Sequence, residues 1–189
     1  MKRLFLLAIC VVFAAGAVNA QEVFRKGDLV FNLGVGIGNT LYSGAGYKMT
    51  VPPLSLSGDY AVVDHLINGN NGSITVGGYL AFAANKQEFT VVTEKFGYKY
   101  SDLIIGIRGA FHYQFVRNLD TYAGLMIGYD IVSAKQYGTW SGTPVNAATS
   151  SVAFGGYIGA RYFFSQKFGI FAELGYGISY LTLGVTYRI

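Results

Sequence analysis

Cysteine is nearly missing from this chain: the 189 residues hold one, Cys10, within the first twenty. Downstream of it neither a disulfide nor a cysteine-built zinc site can form. Charge is scarce as well, at 13% of residues, against about 25% in soluble domains. There are two histidines, His65 and His112, on separate segments, which is poor material for a metal centre. Beyond residue 20 no apolar run is long enough for a membrane-spanning helix, which takes about 18 residues. No zinc-finger spacing, P-loop or basic helical stripe occurs, so a nucleic-acid partner is not expected. Gly34-Val35-Gly36-Ile37-Gly38 has the glycine spacing of a phosphate loop only superficially. It alternates like a strand and no helix follows.

Glycine and aromatics are abundant: 26 Gly, 15 Tyr and 14 Phe, in a chain that is 52% hydrophobic. The glycines have no three-residue period, which excludes collagen. The first twenty residues form a unit of their own. Lys2 and Arg3 precede the apolar run Leu4–Ala17, and Val18-Asn19-Ala20 suits a cleavage site before Gln21. This is the pattern of a secretory signal peptide, leaving residues 21–189 as one exported domain. Of 14 Lys plus Arg, two go with the signal; twelve remain against ten Asp plus Glu.

That remaining chain alternates with period two. In 180–189, Leu181, Leu183, Val185 and Tyr187 fall on one face, Thr182, Gly184, Thr186 and Arg188 on the other. The same reading predicts strands over 28–38, 54–62, 73–84, 102–113, 121–132, 152–164 and 168–177, eight in all. The apolar face carries no charge in its central part. Asn32, Asp59, Arg108, Asp130, Arg161 and Glu173 all fall on the other face, among glycines and tyrosines. A soluble barrel needs many more Lys and Glu outside than this chain has. Apolar outside and polar inside is the pattern of an all-β, eight-stranded antiparallel transmembrane β-barrel. A soluble, lipocalin-like barrel is the competing fold, with the two faces exchanged.

Connections alternate in length. Long segments are expected at 39–53, 85–99 and 133–151, and tight ones at 64–72, 114–118 and 165–167. The run Asn68-Gly69-Asn70-Asn71-Gly72 suits a turn. Tyr60, Tyr113, Tyr129, Tyr162, Tyr176 and Tyr187 lie toward strand ends, where interfacial rings belong.

Together the signal, the glycine-rich strands, the Phe171-Ala172-Glu173-Leu174-Gly175-Tyr176 stretch and the terminal Tyr187-Arg188-Ile189 carry a resemblance. The chain resembles the small outer-membrane β-barrels of Gram-negative bacteria, the architecture of the OmpA membrane domain and OmpX-like proteins. Its glycine–tyrosine strands are similar to those of Bacteroidetes members. The resemblance implies a porin-like monomer in the cell outer membrane. Its partners would be outer-membrane lipids and lipopolysaccharide, and the machinery that inserts barrels. In such proteins the last strand usually ends in an aromatic; here Ile189 ends it, with Tyr187 two positions earlier on the same face.

Eight strands enclose a bore that side chains can fill. Inward charges in so narrow a space need partners. The expected interior network is Asn32, Asp59, Tyr79, Arg108, Tyr122, Tyr157, Arg161 and Glu173. Glu173 should pair with Arg161 or Arg108, Asp59 with the other arginine, and the tyrosines should donate nearby. Asp130 lies nearer the long-loop end, where water reaches it. His112 points inward without a Ser–His–acid pattern in the sequence, and no catalytic residue, metal or cofactor is expected.

The long segments are where a specific role would sit. Their charged residues are Lys48, Lys86, Lys95, Lys99 and Lys135 against Glu88 and Glu94, a net +3. Tyr47, Lys48, Lys95, Tyr98, Tyr137 and Trp140 are the candidate loop contacts. The expected role is a non-enzymatic structural or surface-exposed barrel with a plugged interior; the alternative is an adhesin-like binding barrel or a narrow channel acting through the long loops.

Overall fold

The computed structural model describes residues 24–42, 44, 46–67, 71–91, 94–138 and 148–189. The segment read as a signal, positions 68–70 of the predicted turn, and Trp140 lie outside the described residues. Eight strands form: β1 (Leu29–Ile37), β2 (Tyr47–Leu66), β3 (Gly72–Val91), β4 (Glu94–Val116), β5 (Leu119–Gly138), β6 (Ser151–Phe163), β7 (Phe168–Tyr176) and β8 (Leu181–Arg188). Each pairs antiparallel with its sequence neighbour, and β8 returns to β1 through Val30↔Arg188 to Ile37↔Leu181. Where the eight strands close on one another no edge is free, so that part of the wall satisfies its own backbone groups without water.

Exposure follows the alternation. Leu125 at 74%, Phe154 at 66% and Ile107 at 62% face outward, while Arg108 and Arg161 are buried. On β4 the outward row runs from Phe111 to Leu103. That is roughly 27 Å of strand, or about 20 Å of height at the usual barrel tilt. An apolar belt of this size has no place in water; it matches the hydrocarbon of a bilayer. Tyr60, Tyr129, Tyr162 and Tyr176 are exposed on the same outer surface.

Inside, glycines give rings their room. Tyr122 lies opposite Gly159 and Tyr157 opposite Gly124 across the β5–β6 ladder. A Cβ on Gly159 would meet the Tyr122 ring at 2.5–2.7 Å. Glycine–tyrosine pairing is thus a steric requirement of a narrow bore, the ring covering the backbone that glycine leaves bare. At the short end, Asn118 completes the β4–β5 turn with a φ of 63°, which asparagine tolerates.

Two expectations need correction. The segments 39–53, 85–99 and 133–151 are only partly loop: β2 to β5 continue well past the lipid belt, with 20, 20, 23 and 20 residues against 13, 9 and 8 in β6, β7 and β8. The part of β3 from Ala83 to Val91 alone is roughly 30 Å of strand. Half of the barrel wall therefore stands above the membrane as a four-stranded sheet. Second, strict alternation through 54–62 puts Val62 outside with Leu54, Leu56 and Tyr60, but a bulge between Ala61 and Val63 shifts the register and Val63 takes the outward position opposite Ile74.

Candidate functional site

Register brings the polar residues into layers along the bore. In the middle layer Arg108 and Arg161 share Asp59. Arg161 Nη2 donates to Asp59 Oδ2, and Arg108 Nε lies 3.2 Å from Asp59 Oδ1. Arg108 Nη2 also donates to Glu173 Oε1 at 2.7 Å, which accepts from Tyr122 Oη at 2.8 Å. Asn32 Nδ2 donates to Ser57 Oγ and to Asp59 Oδ2, and Thr186 Oγ1 donates to Asn32 Oδ1. Arg108 Nε donates to Tyr157 Oη at 3.0 Å, and Tyr157 in turn reaches the Gly109 carbonyl. Tyr79 lines a small cavity beside Arg108 and Glu173. The guanidinium of Arg161 sits over the Tyr122 ring at 4.4 Å, a cation–π contact that supplements its ion pairs.

One layer toward the short turns lies an arrangement the sequence reading missed. His112 Nδ1 is 2.9 Å from Asp120, and His112 Nε2 is 2.9 Å from Thr75 Oγ1. The hydroxyl–imidazole–carboxylate order is that of a nucleophile triad. Its surroundings are not: all three side chains are buried, and the Phe24 ring packs on His112 at 4.9 Å. No substrate carbonyl reaches Thr75 Oγ1 in that enclosure, so the chain of bonds orders the interior. Asp120 also lies 3.7 Å from Arg161, joining this layer to the middle one. Alternation from Tyr122 two residues back along β5 would have placed Asp120 inside. Phe24 precedes the first strand and had no periodic signal.

Above the middle layer Ala81, Ala83, Ile104, Met126 and Ile178 form an apolar floor, with Leu41 packed against it. Over that floor stand Asp102, Asp130 and Asn85. Tyr42 Oη donates to Asp102 Oδ1 at 2.8 Å. Burial first, then this bond, pushes the Tyr42 phenol above its ordinary value. Asp130 was expected to meet water; it is buried instead. Among the described residues no group of three or more His, Cys, Asp or Glu is placed to hold a metal.

The candidate loop contacts divide. Tyr47 and Tyr98 are not on loops: both flank Gln87 on the inner face of the tall sheet. They stack with Tyr42 and Tyr100, the Tyr42 ring lying 5.3 Å from Tyr47 and 5.1 Å from Tyr100. Tyr137 lies on β5 and contacts Glu88 through its hydroxyl. Lys95 pairs by backbone register with Thr90, and its side chain lies outside the described residues.

Lys48 belongs to a larger feature. It lies directly opposite Lys86, Lys86 opposite Lys99, and Lys99 opposite Lys135. Directly opposed residues share a face, so four lysines cross β2 to β5 in one row on the outer surface of the wall. The row is four residues above Leu103 on β4, roughly 10 Å of height once tilt is included. Like charges opposed in a sheet are destabilising. Glu88, 3.4 Å from Lys86, offsets part of that repulsion.

A closed wall with an apolar outside, a charged and filled inside, and one tall side defines the class: a transmembrane β-barrel. No protein-family model matches the chain, and no curated protein does. Among solved structures it is similar to Ail, the attachment invasion locus protein of Yersinia pestis, solved with the heparin analogue sucrose octasulfate. Identity is 16%, over 87% of this chain and 100% of that one, with a TM-score of 0.48. It is also similar to OprG of Pseudomonas aeruginosa, at 11% identity over 89% and 99% of the two chains and a TM-score of 0.49. The N-terminal barrel domain of OprF from the same organism gives 13%, 87%, 98% and 0.44. The likeness concerns the fold alone.

Proposed function

We propose that this chain is a non-enzymatic, monomeric outer-membrane barrel that binds anionic partners at the cell surface through its tall β2–β5 wall. The row Lys48, Lys86, Lys99 and Lys135 carries the reading. Opposed like charges work against the sheet that holds them, and an anionic partner removes that penalty. Their height above the last aliphatic row matches the headgroups of the outer leaflet, so the phosphates of lipopolysaccharide are the first partner. The binding reading is preferred to a channel because Arg108, Arg161, Asp59, Tyr122 and His112 occupy the bore at full burial. Residues 1–20 act as the export signal in this proposal, and the alternating end Tyr187-Arg188-Ile189 serves the insertion machinery. Mass spectrometry of the protein from outer membranes then gives a chain beginning at Gln21.

The direct test compares the barrel with its K48Q/K99Q/K135Q variant for binding to lipopolysaccharide in detergent. A loss of tenfold or more is expected, with the native affinity falling as salt rises. Equal affinities, or a salt-independent native affinity, refute the proposal.

A further inference from the structure

The mouth of the bore holds two acids that the binding wall does not use. Asp102 is 1% exposed and Asp130 7%. Both face inward, from adjacent strands, since Asp102 pairs with Val132 and Ile104 with Asp130. Diagonal neighbours of this kind lie about 7–8 Å apart. Asp102 Oδ1 accepts from Tyr42, but its Oδ2 has no hydrogen-bond partner, and neither has Asp130 Oδ1. On the third strand of this corner, Asn85 Nδ2 is buried and unpartnered too. Asn85 Oδ1 is held by Asn39 Nδ2 at 2.8 Å, which ties the first loop to the same spot.

No Lys, Arg or His among the described residues neutralises the pair. Arg108, Arg161 and His112 lie beyond the apolar floor of Ala81, Ile104, Met126 and Ile178. Lys86, Lys99 and Lys135 point outward, as their register shows. Two buried carboxylates without a counter-charge are costly. The free acceptors here are the carboxylate oxygens Asp102 Oδ2 and Asp130 Oδ1, since Asn85 Oδ1 already accepts from Asn39 and Asn39 Oδ1 from the Leu41 N–H. Hard cations take such ligands at about 2.3–2.6 Å, and one ion between two carboxylates spans a gap of this width.

We infer that Asp102 and Asp130 form a divalent-cation site, of calcium type, at the outer mouth of the barrel. The ion replaces the missing counter-charge and, through the Tyr42–Asp102 and Asn39–Asn85 bonds, fastens the β1–β2 connection to the β3–β5 wall. Water completes the coordination shell. The site does not depend on the lysine row, which lies on the opposite surface of the same sheet.

The test uses the folded barrel in zwitterionic detergent, stripped with a chelator and titrated with calcium chloride, with magnesium chloride as comparison. Terbium luminescence excited through the nearby tyrosines reports occupancy, and the thermal unfolding midpoint reports the structural effect. The expected result is saturable one-to-one binding and a raised midpoint, with at least tenfold weaker binding in D102N/D130N. D64N, at a half-buried acid near the short turns, keeps native binding. If the double variant does not fold, D130N alone shows the loss. Absence of saturable calcium or terbium binding overturns the inference, as does unchanged binding in D102N/D130N. Stabilisation by D130N without any metal effect assigns the pair a shared proton and overturns it equally.

Discussion

Asp59 holds two buried arginines at once, so its removal is the most informative perturbation of the interior. It accepts from Arg161 Nη2 and Asn32 Nδ2 and lies 3.2 Å from Arg108 Nε. In Asp59→Ala the two guanidiniums fare differently. Arg108 keeps Glu173 at 2.7 Å. Arg161 keeps Asp120 at 3.7 Å and the Tyr122 and Phe24 rings, while its Nε and Nη1 already lack hydrogen-bond partners. Breaking a buried pair from one side costs about 3–5 kcal/mol, because a charge is left uncompensated. The upper half of that range applies here, since Arg161 is fully buried. Removing the orphan as well, in D59A/R161M, takes away the stranded charge and leaves Asp120 to His112. The double variant should therefore be more stable than the sum of its single losses by at least about 1.5 kcal/mol. Urea titration of the four proteins in lipid vesicles, followed by heat-modifiable gel mobility, measures all corners of the cycle. A loss below about 1 kcal/mol for D59A, or additivity within about 0.5 kcal/mol, would refute the reasoning.

Two further outcomes follow from packing. Gly159→Val drives a side chain into the Tyr122 ring and separates Tyr122 from Glu173; a cost of about 1–3 kcal/mol or failure to fold is expected, and a urea midpoint equal to the native one contradicts the steric account. Phe24→Ala uncovers His112 and Arg161 at the short-turn mouth. It should cost about 3 kcal/mol and make the histidine accessible to diethyl pyrocarbonate, whereas unchanged modification of His112 would show that the ring is not its cover.

What could be read along the chain was whatever has period two. The eight strands, the outward row Leu103, Ile105, Ile107 and the inward set from Asn32 to Glu173 all follow from alternation, because a strand in lipid must separate two solvents residue by residue. The scarcity of charge then decided which face was outside. Local sequence says nothing about which strands reach the same height, and three features depend on that alone. The lysine row exists only because the registers of β2 to β5 align four residues distant in sequence. Thr75, His112 and Asp120 meet because two hairpins bring them to one depth. Above the lipid the polar–apolar contrast fades, so the upper halves of β2 to β5 read as loops although backbone pairing continues them. The sequence by itself determined the barrel and its two faces, since these are set by transfer of side chains between water and lipid. Only the tertiary structure decided the partners inside the bore and the acids at its mouth, because shear and register, not composition, choose which side chains share a layer.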